Sequence, residues 1–271
     1  MRELEAIHGW GALHAAAAVV RSDGVLAASG EGDRPFDWAS VTKLVTTLAV
    51  LRAVDQRTID LDEPAGPPGS TVRHLLAHAS GLPFDGTAAV SAPERTRIYS
   101  NPGFDLLGDL LADRAGAPVA VVLEAEVLGP LGMTGTTLQG RPSAGMTGPL
   151  VDLARLGREL LRPTLVEPAT FATATRVSFA GLIGVIPGIG RFEPLDWGLG
   201  FELRDAKTPH WTGAANSPAT FGHFGGAGTF LWVDPVAEVA LACLTDRPFG
   251  TWALEAWPAL SDAVLRAAAG T

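Results

Sequence analysis

Lysine, tyrosine, asparagine and cysteine are nearly missing from this chain of 271 residues, and each scarcity narrows what the protein can do. The single cysteine, Cys243, rules out an intrachain disulfide. It sits in the apolar run Val239–Leu244, which reads as a buried strand carrying an inert thiol. Acidic residues outnumber basic ones by 29 to 20, and the net charge of −9 argues against nucleic acid and anionic membrane surfaces as partners, since both require basic patches. The clusters Arg95/Arg97 and Arg155/Arg158/Arg162 are local exceptions that read as solvated helix faces. Long hydrophobic runs are absent too: Ala12 to Val20 is too short to span a bilayer and contains His14. The opening Met-Arg-Glu-Leu-Glu lacks the basic start of a signal peptide, so a cytoplasmic location is expected.

What little lysine and tyrosine there is stands in telling places. The lysines are Lys43 and Lys207, and the tyrosine is Tyr99. Elsewhere arginine supplies positive charge and Phe or Trp supplies aromatic bulk. Arginine does not deprotonate in proteins and phenylalanine has no proton to lose, so the chain keeps lysine and tyrosine where a titrating group would be wanted. That is the composition of a proton-transfer site.

A hydrophobic content of 47% with 18% charge marks a globular protein large enough to bury a substantial core. Leu13–Val20 and Val25–Ala28 flank Ser22-Asp23-Gly24 and predict a hairpin. Leu44, Val45, Leu48, Ala49 and Leu51 follow a helical period in a helix expected from Ser40 to about Arg57. Further helices are expected from Thr71 to Ser80-Gly81, from just after Asn101-Pro102 to Gly116, and from Val119 to Leu128. Beyond Gly181 the chain turns glycine-rich, with strand signals at Gly198–Leu203, Gly228–Val233 and Glu238–Leu244. A last helix covers Trp252 to Ala269, its main run opened by Pro258. Sheet at both chain ends with helices between predicts an α/β (α+β) fold: residues 1–60 and 163–271 form the sheet subdomain and 61–162 an inserted helical one.

Three short motifs carry chemistry. Ser40 and Lys43 are three apart, which places both side chains on one helix face, beside the N–H groups of the first turn. A serine hydroxyl needs a neighbouring base to become a nucleophile, and a desolvated lysine can serve. The alternative is an N-cap serine beside a surface lysine. Tyr99 is followed two residues on by Asn101, one of only two asparagines; a phenol near a lysine can shuttle a proton, and an amide can hold the lysine and bind substrate. The alternative there is an Asn-Pro turn after a packed tyrosine. His223-Phe224-Gly225-Gly226 precedes a strand, where glycines let a ligand lie against the exposed edge.

Taken in that order, Ser-x-x-Lys, Tyr-x-Asn and His-x-Gly resemble the motifs of the serine β-lactamase and penicillin-binding-protein superfamily, nearest its class C β-lactamase and family VIII esterase branch. His74–Pro83, Pro130–Thr134 and Trp232–Pro235 are similar to it as well. The resemblance implies a β-lactamase-like fold with an antiparallel sheet flanked by helices. It implies an acyl-enzyme on Ser40, with Lys43 as its proton partner and Tyr99 as the acid/base at the leaving group. Asn101 and His223 would contact substrate, and the N–H groups of Ser40 and Gly226, beside Gly225, would form the oxyanion hole.

Some positions depart from the pattern. His223 stands where lysine is usual, so less attraction for a substrate carboxylate is expected. Asp246 follows Thr245 where asparagine is common, and would repel carboxylates if it faced the site. Ala144–Pro149 replaces a segment that usually reads otherwise. These shifts favour small carboxylic esters as substrates over β-lactams or D-amino-acid peptides, with a catalytically silent binding protein as the alternative of another class. His74 and His78 have helical spacing, but Leu75 stands where a zinc hydrolase carries glutamate, so no metal and no cofactor is expected. The expected partner is a small ester or amide substrate; oligomeric state is left open. The loops Phe84–Ser91 and Gly181–Asp196 are expected to shape the pocket.

Overall fold

The computed structural model describes residues 1–270. In chain order the elements are β1 (Ala15–Arg21), β2 (Gly24–Gly30), β3 (Phe36–Asp37), α1 (Thr42–Asp55), α2 (Val72–Leu76), β4 (Arg97–Ile98), α3 (Asn101–Ala115) and α4 (Val119–Leu123). There follow β5 (Thr137–Leu138), β6 (Met146–Gly148), α5 (Leu150–Leu161), α6 (Pro168–Ala174), β7 (Gly184–Ile186) and β8 (Gly190–Phe192). The chain closes with β9 (Glu202–Leu203), β10 (Phe221–Gly225), β11 (Thr229–Asp234), β12 (Val239–Thr245) and α7 (Thr251–Ala268).

The main sheet is antiparallel, in the order β2-β1-β12-β11-β10-β9, so both chain ends contribute to it. Its central strands are buried on both faces, and the two-residue period splits their side chains cleanly. Ala16, Ala18, Val20, Leu231 and Ala242 face α5 and the helical half of the molecule. Ala17, Val19, Trp232, Leu241 and Cys243 face α7 and the N-terminal turns. Burial pushes the Cys243 thiol pKa well up, as expected of an inert strand residue. Among the described residues no helix is long and apolar enough to cross a membrane.

Several elements differ from expectation for physical reasons. α2 stops at Leu76 because His78 takes a positive φ of 54°, which ends the helix before Ser80. Pro258 lies inside α7, about two turns past its start, not at the head of the run. α5 falls within the span expected for the helical insertion, yet it packs on β1, β11 and β12. There Gly157 lets it approach closely: a Cβ would meet Leu231 at 3.2 Å. The glycine-rich stretch holds an unforeseen hairpin, β7–β8, which pairs with β4.

The largest correction among the charges concerns Arg97, expected on a solvated helix face. It is 1% exposed on β4 and donates to the carbonyls of Leu195, Ser178, Phe179 and Ala77, tying the β7–β8 region to the helical half. Lys207 is likewise no proton-transfer group. It is buried against Glu202 at 2.9 Å and donates to the Asp196 and Leu203 carbonyls. Burial alone would raise the Glu202 pKa, but the charges and hydrogen bonds of His210 and Lys207 outweigh it and bring the value down to about 2.

Candidate active site

Ser40 sits in a single 3-10 turn, Ala39–Val41, which runs into α1; the α-helix proper begins two residues later than expected. The turn is pinned from both sides. The Trp38 N–H donates to the Met146 carbonyl (2.9 Å), and the Trp38 carbonyl accepts from the Thr229 hydroxyl (2.9 Å) and the Val41 N–H (3.1 Å). Ala39, next to the serine, holds a φ of 44°, a left-handed conformation that a non-glycine residue keeps only where its surroundings fix it.

α1 then carries Lys43 inward, where it is fully buried rather than on the surface. Its Nζ lies 2.7 Å from Asn101 Oδ1, 2.8 Å from the Ser143 carbonyl and 3.4 Å from Ser40 Oγ. The Tyr99 ring lies under it, 4.7 Å from Nζ. Burial lowers the Lys43 pKa to about 7, against a partial pull upward from Asp105 and Asp85. Ser143 escaped the sequence reading because a backbone carbonyl has no residue-type signal. Residues on either side of it back α1: the Met146 N–H, in the segment noted for its departure from the pattern, donates to Thr42 Oγ1, and Thr46 donates to the Pro142 carbonyl.

Tyr99 and Asn101 straddle Ser100, whose hydroxyl caps α3 by accepting the Gly103 N–H at 3.2 Å. Asn101 thus opens α3 with its amide turned to Lys43. The Tyr99 ring packs against His78 (4.6 Å between centroids), Phe84 (5.7 Å), Trp197 (6.0 Å) and His223 (5.7 Å). Burial pushes its pKa well above that of a free phenol; the Ser40 hydroxyl works partly the other way, though no hydrogen bond of ordinary geometry joins the two.

His78 holds this corner. Its Nδ1 accepts the Ser100 N–H at 3.1 Å, and burial next to Lys43 keeps the ring neutral. His74 is engaged elsewhere, with Nδ1 at the Thr71 cap and Nε2 at Glu94.

The third motif precedes β11, as expected, and its residues His223–Gly225 themselves end β10. His223 is 2% exposed, and its pKa falls to about 3 through burial and the Lys43 charge. Gly225 does not open the edge to a ligand, because the protein itself fills that space: a Cβ there would stand 2.4 Å from the Trp38 carbonyl oxygen and 3.1 Å from Ala39 Cβ. Gly226 is the open position, with nothing within 4 Å. Gly225→Ala is therefore expected to push the serine turn off its seat and cut the acylation rate of Ser40 by about a hundredfold. Stopped-flow release of p-nitrophenol measures it. Asp246 does not face the site; it accepts the N–H groups of Leu13 and His14 at the mouth of β1.

Ser40, Tyr99, His223 and Gly226 line one cavity of about 280 Å³, together with Phe84, Ile186, Pro187, Gly188, Trp197, Glu202, Phe224 and Phe249. Both loops expected to shape the pocket contribute, through Phe84 and through Ile186–Gly188. No cation lines it, and the one carboxylate, Glu202, is engaged by Lys207, His210 and Trp211.

An antiparallel sheet between helical layers, with a serine turn docked on β10 and β11 beside a buried lysine, is the arrangement of the serine β-lactamase and penicillin-binding-protein superfamily. The chain belongs to the β-lactamase family, whose sequence profile matches residues 6–265. A β-lactamase from Mycobacterium bovis is 50% identical to it over 98% of this chain and 99% of that one, and superposes with a TM-score of 0.96. EstCE1, a hydrolase with promiscuous acyltransferase activity, shares the fold at 20% identity and a TM-score of 0.77, over 97% of this chain and 99% of that one. The D-alanyl-D-alanine-carboxypeptidase/endopeptidase AmpH of Escherichia coli K12 is 32% identical across 38% of this chain and 37% of its own length, so the match spans little more than a third of that relative.

Proposed function

We propose that the protein hydrolyses small neutral carboxylic esters through an acyl-enzyme on Ser40. The observation that carries this reading is the Lys43 environment. A neutral amine has two hydrogens and one lone pair, and Nζ has two close acceptors, Asn101 Oδ1 and the Ser143 carbonyl, with Ser40 Oγ third at 3.4 Å. Two donations leave the lone pair for the serine proton, and a pKa near 7 makes that form abundant at neutral pH.

Lys43 accepts the Ser40 proton as Oγ attacks the ester carbonyl. The N–H groups of Ser40 and Gly226 hold the developing oxyanion, each donor contributing on the order of 3 kcal/mol to the barrier reduction. Tyr99, protonated at rest, passes its proton to the departing alkoxide; the phenolate so formed takes a proton from the water that cleaves the acyl-enzyme, and Lys43 returns its proton to Ser40 Oγ. Asn101 holds Lys43 and contacts substrate with its amide. The apolar cavity without a cation favours neutral esters over carboxylate-bearing substrates.

Intact-mass spectrometry after mixing with p-nitrophenyl acetate, a penicillin and a fluorophosphonate, with Ser40→Ala as control, tests this. An adduct on the wild type alone supports Ser40 as nucleophile, and its absence from all three sinks the reading in favour of a silent binding protein. A second reading, β-lactam or D-peptide hydrolysis, draws on the 50% identity to the Mycobacterium bovis β-lactamase; nitrocefin turnover or D-alanine release faster than ester cleavage would establish it.

A further inference from the structure

Three side chains that line the cavity are at least nine-tenths buried and carry a polar atom with no partner among the described residues: Tyr99 Oη, Trp197 Nε1 and His223 Nε2. The phenol is accounted for by the proton transfers above; the other two are not. An indole N–H can only donate. His223 Nδ1 lies 2.6 Å from the Phe224 carbonyl oxygen, which can only accept, so Nδ1 carries the proton and Nε2 presents a lone pair. The ring's low pKa keeps it in that neutral form. The cavity lining thus carries one fixed donor and one fixed acceptor on neighbouring rings that meet edge to face, with centroids 5.9 Å apart.

The ligand chemistry follows by elimination. A carboxylate accepts but does not donate, so it leaves His223 Nε2 unpaired and finds no cation on the lining. An alkyl group leaves both atoms unpaired among Phe84, Ile186 and Phe249. A neutral group that both donates and accepts completes the pair. We propose that Trp197 and His223 together select esters bearing a hydroxyl or a carboxamide, so that the histidine of the third motif serves as a hydrogen-bond acceptor where a lysine would serve as a cation. This selectivity rests on the reading of Ser40 as an esterase nucleophile.

The test compares kcat/KM for p-nitrophenyl 3-hydroxybutyrate, p-nitrophenyl N-acetylglycinate, p-nitrophenyl butyrate and mono-p-nitrophenyl succinate in wild type, Trp197→Phe and His223→Phe. In the wild type the hydroxyl or the amide ester is expected to exceed butyrate by about tenfold or more, with succinate lowest. Whichever of the two wins identifies the group. Because the readout is a ratio within each enzyme, a general loss of activity cancels. The ratio is expected to fall toward one in both variants, and His223→Lys to raise succinate above butyrate. A wild-type ratio near one, or a ratio that survives both substitutions, overturns the proposal.

Binding of methyl 3-hydroxybutyrate, methyl N-acetylglycinate and methyl butyrate to Ser40→Ala, measured by calorimetry, separates the two claims. About tenfold tighter binding of either polar ester than of methyl butyrate supports the selectivity even if no ester turns over, and equal binding of all three overturns it even if esters do.

Discussion

Lys43→Met is expected to lower the acylation rate of Ser40 by about a thousandfold, because no other group within reach of the serine hydroxyl is a base at neutral pH. Tyr99 is held protonated by burial, and His78 is fixed with its Nδ1 occupied by the Ser100 N–H. In the wild type the acylation rate should rise with pH and level off above about 7, following the neutral form of Lys43. Burst release of p-nitrophenol from about pH 5 to 9 measures both effects. A profile flat across that range, or a variant that still acylates, removes Lys43 from the role.

The same burial has a thermodynamic signature. The Lys43 pKa falls from 10.5 unfolded to about 7 folded, so between those values the unfolded chain binds more protons and stability rises with pH. The penalty is fully present below pH 7, where it is on the order of 5 kcal/mol, and it fades by about pH 10.5. Methionine removes it but leaves Asn101 Oδ1 and the Ser143 carbonyl unpaired, at about 1–3 kcal/mol each, a cost that does not change with pH. The prediction is therefore one of slope. Relative to wild type, Lys43→Met should be most stable at neutral and acid pH and lose that standing steadily toward pH 10, as followed by urea denaturation.

Much of this was legible in the sequence, and the misses have a common cause. The hairpin β1–β2, the start and end of α3, and the strand around Cys243 show their periodicity or their caps openly. Ser40, Tyr99, His223 and Gly226 do line one cavity, and Asn101 meets Lys43 behind it; lysine, tyrosine and asparagine are scarce enough for their placement to carry information, whereas the 32 glycines gain it only from their order after the other motifs. What failed was the reading of charged side chains outside the helices; Arg155, Arg158 and Arg162 do lie exposed on and beside α5, as a solvated face requires. Arg97, Lys207 and Asp246 look alike on paper, as charges in polar stretches. Their surroundings are set by contacts 80 or more residues distant for Arg97 and more than 200 for Asp246. Gly225 failed for the same reason: its missing side chain is matched to Trp38, which is remote in sequence and adjacent in space. Backbone donors and acceptors, such as the Ser143 carbonyl, leave no trace in residue identity at all.

Tyr99→Phe is expected to separate activity from stability most cleanly. Its hydroxyl makes no hydrogen bond of ordinary geometry in the resting protein, and a buried unpaired hydroxyl costs about 1–3 kcal/mol. The ring contacts with His78, Phe84, Trp197 and His223 survive in phenylalanine. The variant should melt no lower than the wild type, and by this reasoning slightly higher. Its turnover should nevertheless fall by roughly two to four orders of magnitude, because the leaving alkoxide loses its proton donor and the deacylating water its base. Since deacylation depends on Tyr99 throughout while acylation still has Lys43, the acyl-enzyme should accumulate and be visible by mass. A hydroxyl that weakens the fold, contributes no resting contact and is needed only along the reaction coordinate is one whose partner appears only in the transition state. A stable, fully active Tyr99→Phe enzyme would show that the proton reaches the leaving group by another route. A variant that melts several degrees lower would show that the hydroxyl has a structural partner after all.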